Sequence, residues 1–302
     1  MQKKLKNWIE ATRLRTLPVS TAGVVVASGC AYNDGSFKWQ PALLCFLFAV
    51  LAQVASNFAN EYFDYVNGSD KKGREGFRRG VTEGDITPRA MLCATFGTLA
   101  AACAVGCCLI PFGGWQLIPI GVVIAVFALA YSAGPYPLSR VGLGDVAVLV
   151  FFGFVPVCLT YYVQTGEITG NVAAASAAVG LMGCNVLIVN NYRDMEDDRE
   201  AGKRTTVVRF GRRVAAIAYL LFGIAAVWLT APLWAEKLWI FFIAPAIYLC
   251  LHYSTWQRIR RSRGAALNPL LGATARNMLV YSLLLLAVCL IYHYGSFRLY
   301  AR

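Results

Sequence analysis

Two short stretches carry most of the acidic side chains in this sequence. NEYFDYVNGSD occupies residues 60–70, and NNYRDMEDDR occupies residues 190–199. Of the 16 aspartates and glutamates, six fall within residues 61–85 and five within 194–200. Each stretch sets an asparagine four residues before an aspartate: Asn60 before Asp64, and Asn190 before Asp194. On a helix that spacing puts both side chains on one face, a turn apart. Asp198 extends the second face by another turn. Gly68 is placed to end the first helix, so that Asp70 returns from the loop. Oxygen donors of this kind suit a hard cation such as Mg2+, which keeps several waters and bridges to phosphate groups. The expected metal ligands are Asn60, Glu61, Asp64, Asp70, Asp194 and Asp198. The expected guest is a diphosphate held by metal between the two motifs. Either motif alone also reads as a solvated helix end, with its acids paired to neighbours such as Arg193 and Arg199. Two motifs of the same grammar at one membrane face argue for a shared site.

Cations and polar groups lie close to both motifs. Lys203 and Arg204 follow the second in REAGKRTTVVRFG, residues 199–211. Arg140 stands in AYSAGPYPLSRVGLGD, a Gly- and Pro-rich turn at 130–145 that also holds Tyr131, Ser132 and Asp145. Lys203, Arg204, Arg140 and Arg199 are candidates for binding anionic oxygens. Asn190, Asn191, Ser132 and Asp145 are candidate substrate contacts. The ten cysteines follow no metal or disulfide spacing and read as small buried apolar residues. His252 and His293 read as helix-end residues rather than ligands.

The elements that must position these groups are membrane helices. The chain of 302 residues is 58% hydrophobic and 15% charged, where a soluble domain carries about 25% charge. A span needs about 20 mostly apolar residues. Nine segments meet that scale, at 17–33, 41–63, 90–110, 115–134, 144–163, 171–191, 214–234, 237–253 and 274–294. The expectation is an all-α bundle of nine transmembrane helices around a central cavity, forming one domain over residues 1–302. Residues 1–16, basic with Leu5, Trp8 and Ile9 at helical spacing, should lie in the interface. Residues 64–89 and 192–213 should be cytoplasmic loops. With the N-terminus in the cytoplasm, 24 of the 28 lysines and arginines fall on the inner side, as orientation by positive charge requires. The net charge of +12 is thereby explained as topology, and nucleic acid is not an expected partner. The acids, which contribute little to orientation, mark both motifs at the inner ends of even-numbered spans. A secondary transporter is the competing class, but transporters hold substrate near the midplane, and these charges sit at helix ends.

With the acids at the ends of the second and sixth of nine spans, the chain resembles the UbiA-type intramembrane prenyltransferases over nearly its whole length. Four stretches carry a closer resemblance to the branch acting on 1,4-dihydroxy-2-naphthoate: WIEATRLRTLP (8–18), NEYFDYVNGSD, GLGDVAVLVFFG (142–153) and VNNYRDMEDDREAGKRTTVVRFG (189–211). The first motif has five residues between Asp64 and Asp70, where the 4-hydroxybenzoate branch usually has three. Glu61 stands where the family often has Asp. The resemblance implies Mg2+-dependent transfer of a polyprenyl group from its diphosphate to the naphthoate ring, with loss of CO2, giving demethylmenaquinone. The other acceptors in the family are 4-hydroxybenzoate, homogentisate and haem. It implies catalytic roles for Asp64 and Asp194. It leaves Tyr131, Tyr62 and Phe152 as aromatic faces for an allylic cation, and Arg13 or Arg140 as the anchor for the acceptor carboxylate. The tail would pass into membrane lipid. Without the long N-terminal extension of animal homologues, the chain is expected in a bacterial inner membrane.

Overall fold

The computed structural model describes residues 2–70, 72, 76–235 and 239–300, and within these limits the side chains from residue 4 to residue 293. The described residues contain no strand. An amphipathic helix, α1 (Gln2–Thr12), leads through a 3-10 turn (Leu14–Thr16) into α2 (Leu17–Asn33). Then come α3 (Trp39–Val66), α4 (Pro88–Cys107), α5 (Leu117–Ala130) and α6 (Gly144–Thr165). The last four are α7 (Gly170–Arg193), α8 (Thr206–Leu229), α9 (Ile243–Arg261) and α10 (Asn268–Tyr300). Threonine side chains start three of them: Thr87 accepts from Ala90, Thr169 from Val172 and Thr205 from Val208. Each satisfies a backbone N–H that the first helical turn leaves free.

Among the described residues, eight helices are long and apolar enough to cross a membrane. The fourth expected span, 115–134, differs. α5 has only 14 residues, about 21 Å at 1.5 Å per residue, against a hydrocarbon core of about 30 Å. The helix ends nevertheless alternate. The starts of α2, α4, α6, α8 and α10 and the ends of α3, α5, α7 and α9 gather at one end of the bundle. Side-chain contacts join them there: Arg13 to Asn60, Asn60 to Ser132, Thr206 to Asp145 and Arg193 to Asn268.

The main core lies among α2, α6, α7, α8, α9 and α10, where Tyr161, Met182, Tyr219, Met278 and Tyr281 are fully enclosed. Glycine lets α6 meet α7. A Cβ on Gly153 would lie 2.6 Å from Gly180 Cα and from the Ser176 carbonyl. Gly153 belongs to a π-helical stretch (Leu149–Phe154) in the middle of α6. Close backbone approach through small residues is the usual way membrane helices pack. By contrast, no residue of α5 is buried. The bundle is thus dense on the side of α7–α10 and open among α3, α4 and α5.

Three local expectations change. α8 begins at Thr206 instead of residue 214 and breaks at Gly211 (φ 79°, ψ 166°). So the polar stretch 192–213 is largely helical, with a further short helix at Met195–Glu200. His252 lies inside α9, its ring stacked on Tyr219 at 4.6 Å and on Tyr248 at 5.4 Å. Its Nε2 is 3.1 Å from the Tyr219 carbonyl, and only a glycine at 223 leaves room for the ring. Among the cysteines, Cys93, Cys103, Cys107, Cys108 and Cys250 are exposed rather than buried. Their surroundings are apolar helix faces, where a thiol is a tolerable small side chain.

Candidate functional site

A cavity of about 560 Å³ runs through the open side of the bundle. One end is polar and holds both acidic motifs. The rest is apolar, walled by residues such as Phe48, Leu99, Phe127, Phe151 and Phe152.

The first motif is built by the end of α3. After Val66 the chain turns through Gly68 (φ 65°), a conformation that glycine adopts at no steric cost. Ser69 N–H donates to the Asp64 carbonyl at 2.8 Å and Asp70 N–H to the same oxygen at 3.3 Å. This folds Asp70 back beside Asp64, as the sequence suggested. Arg79, from the following loop, closes the cluster. Its Nε is 3.2 Å from Asp70 Oδ2, and its Nη2 lies 3.7 Å from Asp64 Oδ2 and 3.1 Å from Asn60 Oδ1. Asn60 Oδ1 also accepts from Arg13 Nη2 at 2.6 Å, and its Nδ2 donates to Ser132 Oγ at 3.0 Å. Arg13 has φ 54°, the one positive φ outside glycine among the described residues. Held strain of this kind is characteristic of positions whose side chain must be aimed.

The second motif is built by the end of α7. Asp194 caps the helix through its N–H to the Asn190 carbonyl, and Asp198 N–H returns to the Asp194 carbonyl at 2.8 Å. Arg193 grips Asp194 with two bonds, Nε to Oδ1 at 2.6 Å and Nη2 to Oδ2 at 2.7 Å. Both residues are buried. Asp198 faces Lys203 Nζ at 3.1 Å.

The structure therefore brings Asn60, Asp64, Asn190, Asn191, Asp194, Asp198, Arg13, Lys203, Tyr131 and Asp145 to the cavity wall. Asp145 also accepts from Thr206 Oγ1 at 2.8 Å, tying α6 to α8. Seven expected site residues, Tyr62 and Arg204 among them, do not line the cavity. Asp70 and Ser132 stand behind it, holding Arg79 and Asn60. Glu61 turns to the loop, where Oε1 accepts from Val81 N–H at 3.1 Å. Arg140 donates from Nη2 to the Ala201 carbonyl at 3.0 Å and so pins the loop after the second motif. Arg199 is exposed and pairs with Glu196. Two residues that sequence reasoning did not assign to the site, Arg79 and Arg193, supply its buried cations. Arg193 had only adjacency to Asp194 as a signal, and Arg79 only its place in a basic loop.

Among the described residues, no three His, Cys, Asp or Glu side chains converge as a ready-made metal cage. The donors present still fit Mg2+. Carboxylate and amide oxygens from two helices face one space, and this ion uses one or two carboxylates with waters and phosphate oxygens.

The sequence pattern of the UbiA prenyltransferase family matches residues 20–271. A 1,4-dihydroxy-2-naphthoate octaprenyltransferase of Haemophilus influenzae is 36% identical over 259 residues, covering 80% of this chain and 83% of that one. A protein of the same name from Escherichia coli is 33% identical over 301 residues, covering 93% and 94%. Among solved structures, a UbiA homolog from Archaeoglobus fulgidus bound to DMAPP and Mg2+ superposes with a TM-score of 0.62. It is 16% identical, with 91% of this chain and 98% of that chain covered. At that identity the likeness speaks for the fold.

Proposed function

The chain belongs to the UbiA prenyltransferase family and is an integral membrane enzyme; on that premise we propose that it transfers a polyprenyl group from its diphosphate to 1,4-dihydroxy-2-naphthoate, releasing CO2 and diphosphate and giving demethylmenaquinol, the reduced form of demethylmenaquinone. The observation that carries this reading is the cavity itself. Two acidic motifs and their cations stand at one end, and an apolar chamber extends behind them. A molecule with an anionic head and a hydrocarbon tail matches that division.

Asp64, Asn60, Asp194, Asp198 and the paired asparagines Asn190 and Asn191 would hold Mg2+. When bound, the metal supplies positive charge that stabilises the departing diphosphate. Lys203 and Arg79 add donors beside the same carboxylates, in the place where diphosphate charge develops. The allylic C–O bond breaks and its electron pair leaves with the diphosphate. The aromatic chamber wall then has two tasks: Phe127, Phe151 and Phe152 keep water from the allylic cation, and the faces of Tyr131 and Phe152 stabilise it. The ring carbon bearing the carboxylate attacks, a C–C bond forms, and CO2 leaves while its bonding pair restores the ring. Arg13 is the better anchor for the acceptor carboxylate, because it lines the cavity and Arg140 does not.

The site opens on the cytoplasmic side of a bacterial inner membrane, with the N-terminus on that side, in keeping with the charge distribution. Membranes containing the protein should be incubated with 1,4-dihydroxy-2-naphthoate, a polyprenyl diphosphate and Mg2+. Demethylmenaquinol, or the demethylmenaquinone that air oxidation makes from it during extraction, is the expected mass. Product from 4-hydroxybenzoate or homogentisate, with none from the naphthoate, would reject the acceptor.

A further inference from the structure

Phe77 lies in the loop between α3 and α4, seven residues past Asp70 and two before Arg79. Its ring packs against the main core. The Arg15 guanidinium stands 4.8 Å from the ring centroid and that of Arg193 stands 5.4 Å from it. Both fall within the roughly 6 Å over which a ring face attracts a cation.

The two arginines come from separate parts of the chain. Arg15 belongs to the 3-10 turn beside Arg13. Arg193 ends α7 and grips Asp194. One ring therefore touches the segment that carries Arg13 and the segment that carries the second acidic motif. Through Arg79, its own loop touches the first motif. The Arg193 N–H edge is already engaged: Asp194 takes Nε and Nη2, Asn190 takes Nη2, and Asn268 takes Nη1. Beyond those edge bonds, the Arg193 guanidinium carbon stands over the face of the Phe77 ring. A rotation of the Arg193 plane would carry the Asp194 carboxylate with it.

We propose that Phe77 is a positioning residue, whose ring, attached to Arg193 and Arg15, fixes the spacing between the two acidic motifs. The proposal rests on the reading of those motifs as a Mg2+–diphosphate site. Leucine at 77 keeps apolar bulk against the core but has no π face. Tryptophan keeps the face.

The test compares Phe77→Leu and Phe77→Trp with the unchanged protein, each purified in detergent. Three quantities are measured: thermal stability, Mg2+-dependent binding of a farnesyl thiodiphosphate by calorimetry, and the donor KM and kcat in turnover. Phe77→Leu should bind the probe about tenfold more weakly, between the exposed and the desolvated size of a cation–ring attraction, with a higher donor KM and unchanged stability. Phe77→Trp should stay close to the unchanged protein. Unchanged probe binding in folded Phe77→Leu would overturn the proposal, as would equal losses in the leucine and tryptophan variants. If Phe77→Leu does not fold, Phe77→Met makes the same comparison. Failure of the unchanged protein to bind the probe with Mg2+ would instead reject the motif reading, and the positioning role with it.

Discussion

At the scale of residues, the two aspartates assigned to the proposed reaction are held differently, and their variants should fail differently. Asp194 is buried and bonded twice to buried Arg193. Removing one partner of such a pair costs about 3–5 kcal/mol, since the other charge is left uncompensated. Asp194→Ala should therefore lose both stability and activity, while Asp194→Asn keeps one acceptor oxygen for Arg193 and separates the two losses. Asp64 stands 3.7 Å from Arg79, a looser contact. Asp64→Ala should fold, with detergent melting close to the unchanged protein, and show no Mg2+-dependent prenyl transfer. Full activity in that folded variant would reject the two-motif site. Arg13→Ala should raise the KM for the acceptor, whereas Arg140→Ala should lower kcat through a loosened loop and leave that KM alone. These expectations trace how far the site was legible. The four-residue spacing carried Asn60, Asp64, Asn190 and Asp194 to the cavity, because 3.6 residues per turn keeps them on one face. Glu61 and Arg199 each follow a cavity residue by one position, a rotation of about 100° on a helix, and each points elsewhere. Arg79 is brought in by a loop fold that no local period encodes.

At the scale of elements, helix type was legible and helix contact was not. Long apolar runs ended by glycine, proline and charge gave the spans, since each must satisfy its own backbone in lipid. The early start of α8 was hidden because its first turn, TVVRF, sits in a polar stretch and is set apart from the span by Gly211. The meeting of α6 and α7 at Gly153 and Gly180 depends on a tertiary approach that neither helix announces alone. It yields a test. Gly153→Ala would place a methyl 2.6 Å from backbone atoms of α7, where no side-chain rotation relieves the clash. Overpacking of this sort costs about 1–3 kcal/mol, and the melting temperature in detergent should fall. Gly97→Ala, on an exposed face of α4 with nothing within 4 Å, is the matched control. It should be neutral or stabilising by up to about 1 kcal/mol, because alanine favours helix over glycine. Equal melting of Gly153→Ala and the control would mean that α6 and α7 do not touch as described.

At the scale of the whole molecule, the uneven packing has a purpose in the proposed reaction. The cavity of about 560 Å³ falls in the range of about 300–1,000 Å³ typical of small-molecule pockets. That is space for a diphosphate, an aromatic acceptor and the first isoprene units, and a long polyprenyl tail must continue outside. Cys103 and Cys107 on α4, with Ile118, Val122 and Val126 on α5, line the cavity and are themselves exposed. They recur at one-turn spacing on two neighbouring helices, and in the proposed reaction they are the two rims of the slit through which the tail passes into lipid. The short, unburied α5 suits that role. Tail beyond the slit lies in hydrocarbon and gains nothing further from the protein, so donors long enough to reach the slit should share similar kcat/KM. A bulky rim should break this equality in one direction. Val122→Trp should lower kcat/KM for a long polyprenyl diphosphate while sparing dimethylallyl diphosphate, whose single unit stays near the acidic motifs. The ratio of the two rates in reconstituted vesicles measures it. If both donors slow alike, the rim acts on the reacting end and the tail leaves the bundle by another route.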